Sequence, residues 1–162
     1  MINHKNIDAI FLDFDGVLTD NYAFIDEDGK ESVKVSRSDG IAFKILKKIN
    51  IPCYILSSEK NNVVKSRAKK LNIKCFKGVE NKLEKLKKIS NKYNYRLKKI
   101  IYLGNDINDL EVMKAVAYPI CPKNSHNDIK KISYKVLKSI GGSGVARELV
   151  EKIFKINIEE YY

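Results

Sequence analysis

Residues 9–20 read AIFLDFDGVLTD, and their pattern indicates the first strand of an α/β fold. The first four residues are a continuous apolar run, which is typical of a strand buried on both faces of a parallel sheet. Asp13 and Asp15 follow at once, and Gly16 marks a turn. Because ligands bind beyond the carboxyl ends of the strands in open α/β sheets, the two carboxylates stand where a functional site is expected.

The rest of the chain alternates short apolar runs with amphipathic stretches. The apolar runs predict further strands at residues 53–56, 73–76, 100–103, 118–121 and 134–137. Apolar residues at helical spacing predict helices around residues 38–49, 63–71, 83–93, 109–116, 125–132 and 145–154. Ser38 or Asp39 is predicted to cap the first of these helices. The alternation predicts a doubly wound parallel sheet with helices on both faces and right-handed crossovers.

A polar segment separates the first predicted strand from the first predicted helix. Tyr22–Ile25 and Ser32–Val35 resemble strands, and the residues between them include an Asp-Gly pair, which favours a hairpin turn. The sequence therefore predicts a small β-hairpin flap at about residues 20–37.

Length and composition limit the class of protein. A chain of 162 residues is expected to form one domain, 1–162, with a C-terminal segment at about 141–162. The 31 basic residues against 20 acidic ones leave a net charge of +11, but only four are arginine and the lysines are spread along the chain. We therefore expect no nucleic-acid partner. Three cysteines without a CxxC pair indicate free thiols in the cytoplasm, and no apolar run is long enough for a membrane span.

Polar clusters follow four of the predicted secondary-structure elements. Asp13 and Asp15 suit a divalent cation or an acid–base pair, and the oxygen-rich loop 104–109 suits Mg²⁺. The hydroxyl and backbone N–H groups at Ser57 suit a phosphate, and Lys82 opens a predicted helix. Each cluster alone also has an ordinary structural explanation, such as a turn, a helix N-terminus or a solvated lysine.

In chain order, the four clusters resemble the motifs of the haloacid-dehalogenase superfamily: a DxD, a Ser or Thr, a Lys and an acidic loop. The resemblance implies a Rossmann-like core. The 41 residues between Asp15 and Ser57, and the interval from Lys82 to Gly104, leave no room for a cap domain.

The likeness narrows further over residues 8–155. DFDGVLTDNYAFIDEDGKE, ILSSEKNNVVKSRAKKL, GVENKLEKL, YLGNDINDLEVM and GGSGVAREL resemble the capless 3-deoxy-D-manno-octulosonate 8-phosphate phosphatases. They are equally similar to the 9-phosphatases of nonulosonic acids, and to a phosphatase-like domain fused to some acylneuraminate cytidylyltransferases.

The resemblance implies catalytic and phosphate-binding roles. Asp13 would attack phosphorus and form an aspartyl-phosphate, and Asp15 would be the general acid and base. Ser57 and Lys82 would hold the phosphoryl oxygens.

It also implies substrate and metal contacts. Glu59 and Arg67 lie where relatives contact the sugar acid. Mg²⁺ would bind the Asp13 carboxylate and the Asp15 main-chain carbonyl, and Asp109 would orient this shell. The family usually has Asp directly after the glycine of the metal loop, whereas this chain has Asn105 followed by Asp106. Either Asn105 or Asp106 would complete the metal site.

The function implied is a Mg²⁺-dependent phosphomonoesterase acting on a 2-keto-3-deoxy sugar acid phosphate, either octulosonate 8-phosphate or nonulosonate 9-phosphate. The family also implies a homotetramer in which a neighbour's hairpin and C-terminal segment, here including the loop Gly141–Arg147, close the pocket. One alternative is a non-catalytic oligomerisation domain, against which the intact Asp13 and Asp15 argue. Another is a capless phosphatase acting on nucleic-acid ends or protein, which no arginine-and-aromatic stripe supports.

Overall fold

A computed structural model describes residues 2–161. The strands are β1 (Ala9–Leu12), β2 (Thr19–Ile25), β3 (Glu31–Val35), β4 (Cys53–Leu56), β5 (Lys74–Phe76), β6 (Ile100–Leu103), β7 (Tyr118–Cys121) and β8 (Lys135–Val136). The helices are α1 (Ser38–Lys48), α2 (Asn62–Leu71), α3 (Lys82–Tyr93), α4 (Leu110–Ala115), α5 (Asn127–Ile132) and α6 (Val145–Glu148), which continues as a π-helical turn, Leu149–Ile153. Among these helices, none is both long and apolar enough to cross a membrane.

Six strands form one parallel sheet in the order β5-β4-β1-β6-β7-β8. β1 lies in the interior of the sheet, where Phe11 is in register with Tyr54 of β4 on one side and Tyr102 of β6 on the other. The chain builds outward from β1 to β5 and then returns to add β6 on the opposite side of β1. This reversal confirms the predicted doubly wound sheet and places its switch point at the carboxyl end of β1.

Alternate residues of β1 supply the two hydrophobic layers that cover the sheet. Ile10 and Leu12 pack with apolar residues of α1, α2 and α6 on one face. Ala9 and Phe11 pack with residues of α3, α4 and α5 on the other. All four side chains are almost fully buried, which explains why β1 has no polar alternation. β1 is therefore a rigid support for the two carboxylates that follow it.

The predicted hairpin is confirmed, and residues 2–161 contain no inserted cap domain. β2 and β3 pair antiparallel as a separate two-stranded sheet, with Ile25 opposite Glu31. Three large apolar side chains of this hairpin, Tyr22, Phe24 and Ile25, are 67–75% exposed.

The predicted cap of α1 is wrong. Arg37 occupies the N-cap position and no side chain caps the helix, while the Ser38 hydroxyl is hydrogen-bonded to that of Ser36. Asp39 is instead fully buried, and its Oδ1 accepts the main-chain N–H groups of Ala146 (2.9 Å) and Arg147 (3.2 Å). Asp39 thus accepts hydrogen bonds from otherwise unpaired N–H groups at the start of α6, whereas its position in the sequence predicted that it would cap α1.

Candidate active site

The predicted catalytic and phosphate-binding residues meet at the carboxyl edge of the sheet, because parallel strands end at the same edge. Asp13 and Asp15 follow β1, Ser57 follows β4, and Lys82 begins α3. Asp13, Asp15 and Ser57 border a cavity of about 340 Å³, and Lys82 contacts Asp13. The cavity is lined by Asp13, Asp15, Asn21, Ser57, Ser58, Glu59, Asn105, Asp106 and Asn108.

A buried ion cluster lies at the base of this cavity. The Lys82 ammonium is 2.7 Å from Asp13 Oδ2 and 2.8 Å from Asp109 Oδ1, and all three side chains are buried. The Tyr102 hydroxyl donates a further hydrogen bond of 2.9 Å to Asp109 Oδ1. Two carboxylates share one ammonium, so the cluster carries an excess negative charge in a site with little water. A buried excess charge is costly unless a further cation binds beside it or one of the carboxyl groups is protonated.

The pKa values reflect this imbalance. Burial, and then repulsion from Asp109, raise the pKa of Asp13 to about 8, although Lys82 opposes the change. Burial alone would lower the pKa of Lys82, but attraction to Asp13 and Asp109 outweighs it and the pKa rises. Lys82 therefore stays charged. An additional positive charge beside Asp13 would lower the pKa of Asp13 and favour its ionised form.

Asp15 is half-buried and is held by Thr19, whose hydroxyl donates to Asp15 Oδ1 at 3.3 Å. Burial raises the pKa of Asp15, the Thr19 hydrogen bond lowers it, and the negative charges of Glu59 and Glu31 raise it further, so that the net direction is upward. A carboxyl group with a raised pKa retains a proton closer to neutral pH, which suits a general acid.

Ser57 is buried at the end of β4, and its hydroxyl accepts the N–H of Glu59 at 3.1 Å. Its main-chain groups hold the loop, since Ser57 N–H donates to Phe76 and its carbonyl accepts from Val79. The hydroxyl is thus presented to the cavity as a donor for an anionic oxygen. Glu59 is exposed and borders both this cavity and an adjoining one of about 210 Å³ beneath the hairpin.

Arg67 is not brought into the cavity. Its guanidinium donates to the main-chain oxygen of Ser36 at 2.6 Å, and its Nε is buried without a hydrogen-bond partner among residues 2–161. Burial lowers the pKa of Arg67, against the attraction of Asp39. The substrate contact of Arg67 therefore stays a prediction.

Asn105 and Asp106 differ in their environment. Asn105 is buried, its amide faces Gly16, and its Oδ1 has no hydrogen-bond partner in the described part of the chain. Asp106 is exposed, and its carboxylate caps the short helical turn Ile107–Asp109 by accepting the N–H of Ile107 at 2.7 Å. The free oxygen of Asn105 has the chemistry of a ligand for a hard cation.

A metal at this site would depend partly on neutral oxygens. Within residues 2–161, no group of three or more His, Cys, Asp or Glu side chains is arranged to hold a metal ion. Asp13 with the Asn105 amide oxygen still forms a donor set that suits Mg²⁺. Asp109 holds this loop, since its Oδ2 accepts the N–H of Asn105 at 2.9 Å.

Three residues of the site, Tyr102, Thr19 and Asn21, were not predicted from the sequence. Tyr102 resembles a core residue of β6. A buried tyrosine hydroxyl needs a hydrogen-bond partner, however, and this requirement could have indicated that Tyr102 contacts a polar group of the site. Thr19 lies within the quoted stretch and holds Asp15. Asn21 lines the cavity with a left-handed backbone conformation, which no local pattern indicated.

The fold and the site together define an α/β protein with a carboxylate pair, an ammonium and a hydroxyl at its switch point, an arrangement suited to phosphoryl transfer. The chain belongs to the haloacid dehalogenase-like hydrolases, whose family model matches residues 47–149. It is therefore an enzyme of the hydrolase class, and the resemblance inferred from its motifs is confirmed.

Individual relatives match more than nine-tenths of the chain, whereas the family model begins at residue 47. The chain is 36% identical to a putative HAD family hydrolase from Streptomyces avermitilis, with a TM-score of 0.90 over 93% of both chains. It is 28% identical, with a TM-score of 0.89 over 94% of this chain and 88% of the other, to the 3-deoxy-D-manno-octulosonate 8-phosphate phosphatase of Moraxella catarrhalis, solved with magnesium, phosphate and KDO. A phosphatase of the same name from Salmonella typhi is 27% identical over 93% of this chain and 81% of its own.

Proposed function

We propose that this protein is a Mg²⁺-dependent phosphomonoesterase that hydrolyses a 2-keto-3-deoxy sugar acid phosphate, either octulosonate 8-phosphate or nonulosonate 9-phosphate. The observation that carries the proposal is the buried Asp13 carboxylate, 2.7 Å from the Lys82 ammonium, in a cavity that Asp15 and Ser57 share. The similarity to octulosonate 8-phosphate phosphatases over nearly the whole chain supports the substrate class.

Asp13 is the nucleophile of this reaction. Its carboxylate oxygen forms a bond to phosphorus while the bond from phosphorus to the sugar oxygen breaks, and Asp15 gives its proton to the departing oxygen. Asp15 then takes a proton from water, which attacks the aspartyl-phosphate, releases inorganic phosphate and restores Asp13. Lys82 and the Ser57 hydroxyl donate to the phosphoryl oxygens, where negative charge gathers.

Asp13, the Asp15 main-chain carbonyl and Asn105 would hold Mg²⁺. When bound, the ion supplies positive charge that offsets the repulsion between the Asp13 carboxylate and the phosphate. We favour Asn105 over Asp106 because the Asn105 oxygen is buried and unpartnered, whereas the Asp106 carboxylate is used in a cap.

The sugar-binding side of the site involves Glu59 and Arg67. We propose that Glu59, on the cavity wall, contacts substrate hydroxyl groups. Arg67 would have to exchange its hydrogen bond to Ser36 for a bond to a substrate carboxylate.

We also propose a cytoplasmic homotetramer. The exposed Tyr22, Phe24 and Ile25 of the flap form an apolar surface that a second copy of the chain would cover. The loop Gly141–Arg147, which we propose also shapes a neighbour's pocket, packs against the turn after Asp15 in its own chain. The three free cysteines fit a reducing compartment.

The test is phosphate release from both sugar-acid phosphates and from glucose 6-phosphate, with Mg²⁺ and with a chelator. We expect one sugar-acid phosphate to be the best substrate and the chelator to stop turnover. Asp13→Asn should reduce turnover at least about a thousandfold, because an amide cannot attack phosphorus. The matched control is Asp128→Asn, an exposed carboxylate on α5. Unchanged activity in Asp13→Asn, or no preference for a sugar acid, would contradict the proposal.

A further inference from the structure

The glycine pair Gly141–Gly142 packs directly against the turn that follows Asp15. The N–H of Gly142 donates to the carbonyl of Val17 at 3.0 Å. A Cβ atom at Gly141 would lie 2.1 Å from the carbonyl oxygen of Gly16, and one at Gly142 would lie 2.6 Å from the backbone nitrogen of Asp20. Both contacts are with backbone atoms, so neither position has room for a side chain unless the turn moves.

The same turn holds the Asp15 carboxyl group. The Thr19 hydroxyl accepts the N–H groups of Gly16 and Asn21, both at 3.2 Å, and donates to Asp15 Oδ1 at 3.3 Å. Thr19 is completely buried, so its hydroxyl follows any movement of the turn. The position of the turn therefore sets the position of the carboxyl group.

The glycine pair is anchored from its other side. Gly144 lies against the Ser38 hydroxyl, where a Cβ atom would be 2.8 Å away. The buried Asp39 carboxylate accepts the N–H groups of Ala146 and Arg147, at the start of α6. Neither contact involves the turn, so the loop has a fixed position of its own from which it can support the turn.

We propose that Gly141, Gly142 and Thr19 are positioning residues that hold Asp15 where it can protonate the leaving group. The proposal rests on the function proposed above, in which Asp15 is the general acid. A misplaced general acid slows the release of a poor leaving group, such as a sugar alkoxide, which needs the proton. It has little effect on a good leaving group, such as p-nitrophenolate, which departs without one.

The experiment compares Gly142→Ala with Asn94→Ala, using the better sugar-acid phosphate and p-nitrophenyl phosphate. Asn94 is a matched control because its backbone is also left-handed, with a φ of +58° against +72° for Gly142, and because it is exposed at the end of α3 remote from Lys82. We expect Gly142→Ala to lower kcat/KM for the sugar-acid phosphate about tenfold or more, and for p-nitrophenyl phosphate less than twofold. Asn94→Ala should leave both values within about twofold.

Equal losses on both substrates in folded Gly142→Ala, or no loss on either, would overturn the proposal. If Gly142→Ala does not fold by circular dichroism, Thr19→Val and Thr19→Ser decide. Selective loss in Thr19→Val with recovery in Thr19→Ser supports positioning, and any other pattern rejects it. Failure of the proposed function is distinguishable, because the wild type would then lack activity on the sugar-acid phosphates or Asp13→Asn would keep it.

Discussion

Asp39 is expected to make the stability of this protein depend on pH. Its carboxylate is buried, Oδ1 accepts two N–H groups of α6, and Oδ2 has no hydrogen-bond partner within residues 2–161. Burial raises the pKa of Asp39 from its ordinary value of 3.8 to about 6, although the N–H groups of Arg147 and Ala146 oppose the change. Between these two values the native state binds more protons than the unfolded state, so stability falls as the pH rises.

The magnitude follows from the same two values. A difference of about two pH units corresponds to about 3 kcal/mol, the cost of keeping Asp39 ionised in the native state above pH 6. Asp39→Asn keeps an oxygen to accept the N–H groups and removes the charge. We therefore expect the variant to match the wild type near pH 4 and to be more stable by up to about 3 kcal/mol at pH 7.

The assay is urea unfolding followed by circular dichroism at pH 4, 5, 6 and 7, at one protein concentration. Taking the difference between Asp39→Asn and the wild type removes the titration of all other groups. The control is Asp128→Asn, for which the direction is opposite, because a hydrogen bond from Lys131 lowers the pKa of Asp128. A difference for Asp39→Asn that does not change with pH would refute the reasoning, as would a variant less stable than the wild type at pH 7.

Two further predictions concern the metal loop and the flap. Asn105→Asp should lower the Mg²⁺ concentration needed for half-maximal activity and Asn105→Ala should raise it. The added attraction, about 4 kcal/mol at ~4 Å and an effective dielectric constant near 20, is partly cancelled by repulsion from Asp13 and the phosphate, so the change should be modest. A Mg²⁺ titration in which only Asp106→Asn shifts the midpoint would identify Asp106 as the ligand. Phe24→Asp should reduce the molecular mass measured by light scattering below that of four subunits. Tyr134→Asp, which changes an exposed aromatic residue outside the flap, should leave the mass unchanged. A wild-type monomer with full activity would contradict a pocket shared between subunits.

Local patterns in the sequence were enough to predict most of the fold. The apolar run 9–12 predicts a strand because burial on both faces leaves no position for a polar side chain. Helical spacing likewise located α1, α2 and α3, since periodicity depends on residues only three or four apart. The strand ends followed from these elements, and with them the cluster of Asp13, Ser57 and Lys82 at one edge of the sheet.

The partners of individual polar groups depended on the tertiary structure. Asp39 resembles a cap by its position in the sequence, yet its partners, Ala146 and Arg147, lie more than a hundred residues away. Asn105 and Asp106 are adjacent and equally polar, and only their burial separates them. Buried charges and N–H groups must find partners wherever the fold brings them, and sequence spacing carries no information on distances between elements that meet only after folding.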